Sequence, residues 1–219
     1  MKNIPYQEAV GSLMYAAMGT RLDIVFATST VAQFLENPGR DHWEAVKRIF
    51  KYLKGTRNVS LVYGGKDEDL QGWTDADGAS QEHRRAISGY IFMVDGGAVS
   101  WSSKKQELVT LSTMEAEYVA MTHTAKEALW LRALFGEVFA PINKPTTVFG
   151  NNKSVLALPT GGQYHHIDIR YHFIRYIVEA QSIKLIYCPT DKQTADPLTK
   201  ALLSLKLKHF TTEMGLREV

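Results

Sequence analysis

The order of strand-like and helix-like segments after residue 69 restricts the fold more than any other feature of this sequence. Three short runs, 70–75, Ile87–Val94 and 98–102, lie between turn residues and predict strands, and Asp95-Gly96-Gly97 predicts a hairpin between the last two. Helix and strand patterns then alternate over Thr113–Val138, Thr146–Gly150, 152–158, 166–180, Ile183–Tyr187 and a final helical region that opens at 194–200 and extends toward Met214. This order, β-β-β-α-β-α-α-β-α, predicts an α/β domain built on one mixed sheet.

In the first 64 residues, the spacing of apolar residues differs from that in the α/β region. Apolar residues recur at helical spacing through residues 5–54, and turn residues at Gly19-Thr20 and Asn37-Pro38-Gly39 divide them into three helices. A polar stretch, 64–69, separates the helical pattern from the α/β pattern. We therefore predict three parts: a helical segment over 1–64, an α/β domain over 69–200 and a helical tail over 201–219.

Composition adds few restrictions on function. A net charge of +2 neither predicts nor excludes nucleic-acid binding, which depends on local clusters of Lys and Arg. The single cysteine, Cys188, excludes an internal disulfide framework and a cysteine-rich zinc site, so we expect a reducing compartment, the cytoplasm or the nucleus. No run reaches the roughly 18 apolar residues of a membrane span, so no membrane association is expected.

Three acidic residues fall where an α/β fold places its functional sites. Asp75 ends the first predicted strand, Glu117 lies in the first turns of the long helix, and Asp196 opens the last helical region. Converging carboxylates need a hard cation, and an all-oxygen ligand set favours Mg²⁺ or Mn²⁺. Two such ions about 4 Å apart support phosphodiester hydrolysis. With 23 acidic residues in the chain, however, spacing alone does not distinguish this site from solvated surface charge.

The segments around these acids are more specific than their spacing. Seven occur in series: 73–77 (WTDAD), 85–90 (RAISGY), 100–106 (SWSSKKQ), 111–118 (LSTMEAEY), 126–132 (KEALWLR), 166–175 (HIDIRYHFIR) and 195–200 (ADPLTK). In this order they resemble the ribonuclease H domain of copia-type LTR-retrotransposon Pol polyproteins. Four upstream segments, 6–15 (YQEAVGSLMY), 20–24 (TRLDI), 42–43 (HW) and 52–56 (YLKGT), resemble the end of the reverse transcriptase of the same elements. The resemblance spans nearly the whole chain.

The resemblance implies a fold, a reaction and a set of site residues. The fold would be a ribonuclease H-like mixed five-stranded sheet flanked by helices, preceded by a small helical segment. The reaction would be metal-dependent endonucleolytic cleavage of the RNA strand of RNA·DNA hybrids during reverse transcription. Asp75, Glu117 and Asp196 would be the catalytic acids and the metal ligands, with Asp75 bridging two Mg²⁺ or Mn²⁺ ions. Glu115 would point about 200° around the helix from Glu117 and lie at the surface or behind the ligands.

The sequence departs from the family pattern at one acid. The third family acid belongs to a strand-end motif of the form acid-Asn-x-Ser-Ala, which here is Asn151-Asn152-Lys153-Ser154-Val155. Asn151 therefore occupies a catalytic acid position without its charge, which would weaken metal binding and water activation. Three interpretations stay open: a decayed copy of the element, a trap that binds but cuts poorly, and an active enzyme with a compensating ligand. The alternative function is an inactive nucleic-acid-binding remnant.

Basic residues near these segments are candidates for holding the phosphates of a nucleic acid. They are Arg84, Arg85, Lys104, Lys105 and Lys153, although solvated loop charges explain the same pattern. The expected partners are an RNA·DNA hybrid and a reverse transcriptase polymerase domain, within a virus-like particle if the element is active. The chain has no paired-aspartate polymerase motif of the Tyr-x-Asp-Asp kind, so we do not expect it to synthesise DNA.

Overall fold

A five-stranded mixed sheet forms the centre of the molecule in the computed structural model, which describes residues 4–65, 69–78, 85–153 and 168–219. Its strands are β2 (Gln71–Asp77), β3 (Ile87–Val94), β4 (Gly97–Lys105), β5 (Thr146–Gly150) and β6 (Ile183–Tyr187). Their spatial order is β4-β3-β2-β5-β6, in which β3 pairs antiparallel with both β2 and β4, and β5 runs parallel to both β2 and β6. The carboxyl ends of β2 and β5 consequently meet at one edge of the sheet.

Two strands are longer than their sequence patterns predicted. The first strand of the meander continues to Asp77, beyond the predicted end at residue 75, and the third continues to Lys105, beyond 102. Both extensions pair with the start of β3, since Asp77 lies opposite Ile87 and Ile87 lies opposite Lys105. Polar side chains there obscure the alternation of apolar residues, and backbone pairing decides the length.

The long helix packs across one face of the sheet. It spans Thr113–Val138, as predicted, and the Ser112 side chain caps it by accepting a hydrogen bond from the Glu115 backbone amide at 3.1 Å. We label it α4, and α5 is Asp168–Glu179. Tyr118 and Met121 of α4 bury against the sheet with Phe92 and Val148. The predicted helix over 152–158 from residue 154 onward, and the start of that over 166–180, lie outside the described residues.

The N-terminal part contains the predicted helices and packs against the α/β part. The helices are α1 (Tyr6–Gly19), α2 (Val25–Ala32), which follows a short 3₁₀ turn, and α3 (Arg40–Gly55). They bury a core of their own around Val10 and Val46. Leu22 instead packs among residues of the sheet side, and the Trp101 indole Nε1 donates to the Ala17 carbonyl at 3.0 Å. The two parts therefore share buried contacts.

The C-terminal region differs from the continuous helix that the sequence suggested. A short 3₁₀ turn, Asp196–Leu198, is followed by helix α6 (Ser204–Glu213) and strand β7 (Leu216–Glu218). Strand β7 pairs antiparallel with β1 (Val59–Leu61), so the C-terminal strand joins the segment after α3 in a second, two-stranded sheet. After the 3₁₀ turn, Leu198 and Thr199 pack onto the Gly89 backbone, where an added Cβ would lie 2.7 Å from the Thr199 methyl. Across the described ranges, no helix combines the length and apolar character needed to cross a membrane.

Candidate active site

The three predicted acids are buried at the edge of the sheet where β2 ends. Asp75 is 1% exposed in β2, Glu117 is 9% exposed in the first turns of α4, and Asp196 is 0% exposed in the 3₁₀ turn. The Ala76 backbone in β2 favours the charged form of the Glu117 carboxyl, so the first turns of α4 lie beside the end of β2. The charges of Asp75 and Asp196 both act on Glu117, so the fold brings the three acids into one electrostatic neighbourhood.

Asp75 is the centre of a hydrogen-bond network. Asn151, the residue after β5, donates from its amide Nδ2 to Asp75 Oδ1 at 3.0 Å. The Thr199 hydroxyl donates a short hydrogen bond to the other oxygen, Oδ2, and the Lys200 ammonium lies 3.9 Å from that same oxygen. Position 151, which the sequence predicts to be a degenerate acid position, therefore lies directly beside Asp75.

Burial raises the pKa values of two of these acids. Desolvation is the largest cause for Asp75, opposed mainly by the charge of Lys200. Desolvation also raises the pKa of Glu117 to about 9, and the neighbouring charge of Asp75 adds to the effect. Glu117 is thus protonated at neutral pH unless a further cation reaches the site.

Two lysines pair with the Asp196 carboxylate. The Lys200 ammonium lies 2.9 Å from Asp196 Oδ1, and the Lys206 ammonium of α6 lies 3.1 Å from Oδ2. Burial alone would lower the pKa of Lys200, but the carboxylates of Asp75 and Asp196 outweigh it, and the pKa is raised. Each oxygen of Asp196 therefore faces an ammonium group.

A buried glutamine and a glycine position the segment that carries Asp196. The Gln193 amide, fully buried, donates to the Thr74 carbonyl at 3.0 Å, which fastens the segment to β2 one residue before Asp75. Gly89 lies opposite Asp75 in the β2–β3 pair, and its missing side chain admits the segment to the sheet. The sequence did not predict Gln193 or Lys206 as site residues. Thr199 and Lys200 lie in the segment 195–200, but the sequence assigned them no role.

The oxygen atoms of Asp75, Glu117 and Asn151 are of the kind that binds a hard divalent cation. The Asn151 amide oxygen Oδ1 is buried and has no hydrogen-bond partner among the described residues, and the carboxylates of Asp75 and Glu117 repel each other when both are ionised. Within the ranges that the structure describes, no three His, Cys, Asp or Glu side chains are grouped so as to hold an ion as they stand. An ion would have to draw the acids together.

Glu115 is not at the surface, which was one of the two positions that the sequence suggested. It is buried, and its Oε2 accepts a hydrogen bond from the Leu111 backbone amide at 2.7 Å. This contact caps the approach to α4 and places Glu115 in a structural role. Of the two glutamates in the motif, Glu117 is the one that faces Asp75.

The described candidate phosphate contacts follow the same edge of the sheet. Arg85 is exposed just before β3, and Lys104 and Lys105 end β4. Lys104 pairs with Glu107 at 3.2 Å, and Lys105 donates to Gln33 at 3.0 Å. Lys153 lies after β5 with its ammonium 4.7 Å from the centre of the Tyr187 ring. Arg84 lies outside the described residues, and the role of all five stays a prediction.

Comparison with known proteins decides the family. The chain is 46% identical over 207 residues to the retrovirus-related Pol polyprotein from transposon TNT 1-94 of Nicotiana tabacum, and 34% identical over 220 residues to that from transposon RE1 of Arabidopsis thaliana. The chain belongs to the Pol polyproteins of copia-type retrotransposons. These matches cover 92% and 98% of the chain but only 16% and 15% of the two Pol polyproteins. No family model matches it.

The chain is also similar to a protein that is not named as a Pol polyprotein. The secreted RxLR effector protein 161 of Plasmopara viticola is 44% identical over 133 residues, which is 60% of the chain and 94% of that protein.

A solved reverse transcriptase structure agrees with the Pol assignment at the level of fold. The foamy viral protease-reverse transcriptase in complex with dsDNA matches 86% of the chain and 40% of its own length with a TM-score of 0.52 at 15% identity. A ribonuclease H1 in complex with an RNA/DNA hybrid covers 60% of the chain and 94% of its own length with a TM-score of 0.47. The mixed five-stranded sheet flanked by helices, with a helical segment before it, confirms the predicted ribonuclease H-like fold.

Proposed function

We propose that this chain is the ribonuclease H part of a copia-type Pol polyprotein, a metal-dependent endonuclease that cleaves the RNA strand of RNA·DNA hybrids and is impaired by Asn151. The observation that carries the proposal is the convergence of Asp75, Glu117 and Asp196, with Asn151 bonded to Asp75. Buried like charges are costly, and folds retain them mainly where function needs them. The resemblance of the seven sequence segments to copia-type ribonuclease H domains supplies the class of reaction.

The roles of the residues follow from their surroundings. Mg²⁺ or Mn²⁺ ions, held by Asp75, Glu117 and Asp196, would supply Lewis acidity toward the phosphate. Hydrolysis adds water across the phosphorus–O3′ bond, which leaves a 3′-hydroxyl and a 5′-phosphate. Asp75 interacts electrostatically with both other acids, so its charge would help to hold a cation among them.

Asn151 is the weak point of this arrangement. An aspartate at 151 would present an oxygen and a negative charge, whereas the asparagine presents an N–H that occupies Asp75 Oδ1. The side chain thus uses one acceptor of Asp75 and supplies no charge to replace it. Metal affinity and turnover should both fall. The same observation favours the alternative function, an inactive module that binds nucleic acid.

A cleavage assay on a labelled substrate tests the proposal. An RNA strand labelled at its 5′ end is annealed to DNA and incubated with the chain and Mg²⁺ or Mn²⁺, with duplex DNA of the same sequence and an Asp75→Asn variant as controls. Slow cleavage of the hybrid RNA, absent in EDTA and in the variant, is expected. Cleavage that survives Asp75→Asn would contradict the proposed site, and hybrid binding without cleavage would favour the inactive module.

A further inference from the structure

Lys206 stands out because it reaches the candidate site from a different element. Asp196 is fully buried, yet its Oδ2 lies 3.1 Å from the Lys206 ammonium, which α6 carries in from ten residues along the chain. The other ammonium, of Lys200, belongs to the same motif as Asp196 and pairs with Oδ1. Lys206 lies outside every family segment that the sequence contains.

The C-terminal segment holds Lys206 in place. Phe210 and Met214 of this segment are fully buried, and β7 pairs with β1 through Leu216 opposite Leu61. The Lys206 ammonium also lies 5.5 Å from the centre of the Phe210 ring. These contacts fix the backbone that carries Lys206, so its side chain stays within reach of Asp196.

We infer that Lys206 is a tethered competitor of the divalent cation, an ammonium that occupies Asp196 until a metal ion displaces it. This inference rests on the proposed metal dependence. A divalent ion and an ammonium group cannot both lie at Asp196 Oδ2 without strong repulsion. Lys206 can leave because its side chain is 40% exposed, while Lys200 is also drawn toward Asp75. The missing charge at 151 makes the competition more effective, because the site attracts the divalent ion less strongly.

Direct metal binding tests the inference without relying on catalysis. The full chain and the Lys206→Gln variant are titrated with Mn²⁺, and free Mn²⁺ is measured by its electron paramagnetic resonance signal. Removal of the competing charge should tighten Mn²⁺ binding about threefold to tenfold. Lys208→Gln is the matched control, since Lys208 is an exposed lysine two residues along the same helix, and it should change binding less than twofold.

The outcomes separate this inference from the proposed function. If Lys206→Gln binds Mn²⁺ no more tightly than Lys208→Gln, or more weakly than the parent chain, Lys206 is not a competitor. Lys206→Met, which keeps the aliphatic stem beside Phe210, must give the same tightening, and thermal unfolding checks that both variants fold. Tighter Mn²⁺ binding with no hybrid cleavage in any variant would refute the nuclease proposal alone and leave the competitor in place.

Discussion

Two regions of the molecule bury ionisable groups, and they treat them in opposite ways. In the N-terminal helices, Arg21 forms two hydrogen bonds to Asp23, at 3.0 and 2.7 Å, and also donates to the Thr56 hydroxyl and carbonyl. The Tyr52 hydroxyl completes the set by donating to Asp23 at 2.7 Å. At the candidate active site, three carboxylates converge, and the Asn151 amide oxygen has no hydrogen-bond partner in the described part of the chain.

The difference separates a structural network from a functional site. Opposite charges with matched donors and acceptors fix the helices to each other, and nothing in that network calls for another molecule. At the candidate site, two lysines offset the charges of Asp75 and Asp196, whereas Glu117 is buried beside Asp75. The crowding of these acids is a cost to folding that a divalent cation would reduce. The comparison predicts opposite consequences of removing charge from the two regions.

The largest expected change in stability follows from breaking the Arg21 network. Arg21→Met leaves the buried Asp23 carboxylate without its main partner, so the free energy of unfolding should fall by about 3 kcal/mol. Urea unfolding followed by circular dichroism measures the loss. Lys47→Met is the matched control because its pair with Glu44 is exposed, and it should give no measurable change. Equal effects of the two substitutions would refute the contrast.

A smaller effect of opposite sign is expected at Glu117. Its pKa is about 9 in the folded chain against an ordinary value of 4.5, so the folded chain binds the extra proton between these two pH values. Stability should therefore fall as pH rises through that window, by roughly 1 to 3 kcal/mol between pH 5 and pH 8 in the absence of metal. The burial of Asp75 acts in the same direction, while Lys200 opposes both.

Replacing Glu117 identifies the source of this pH dependence. Glu117→Gln removes the titrating group, so its unfolding free energy should vary less with pH and exceed that of the parent chain at pH 8. Urea unfolding at both pH values in EDTA provides the measurement. A variant that is less stable than the parent at pH 8 would mean that the Glu117 carboxylate is satisfied in the folded chain, as Asp23 is.

The sequence predicts the elements with strong local signals and misses those that depend on tertiary contacts. The boundaries of α4, β5 and β6 follow from apolar periodicity and turn residues, and the structure has them at the predicted residues. The pairing of β7 with β1 could not be predicted, because it joins two three-residue strands that are about 150 residues apart and have no distinctive pattern.

The same division applies to the candidate site. Family segments predict Asp75, Glu117 and Asp196 as candidate site residues because each lies within a distinctive run of sequence. Gln193 and Lys206 have no such context, and their places depend on how the segment after β6 folds back over β2 and β3. Helical geometry correctly predicts that Glu115 points away from Glu117. It does not predict the loop at Leu111, whose backbone amide donates to the Glu115 carboxylate.

The central claim is that the site is built around a cation and lacks one charge at Asn151. The most direct test is the rate of Mg²⁺-dependent hybrid cleavage by Asn151→Asp, alone and combined with Asp75→Asn, with Asn152→Asp as a control that adds the same charge one residue away. We expect Asn151→Asp to raise the rate by about a hundredfold or more, and Asp75→Asn to cancel the gain because the two residues act as one unit. Asn152→Asp should leave the rate near that of the parent chain. A parent chain that already cleaves hybrids at a rate Asn151→Asp does not exceed would contradict the claim.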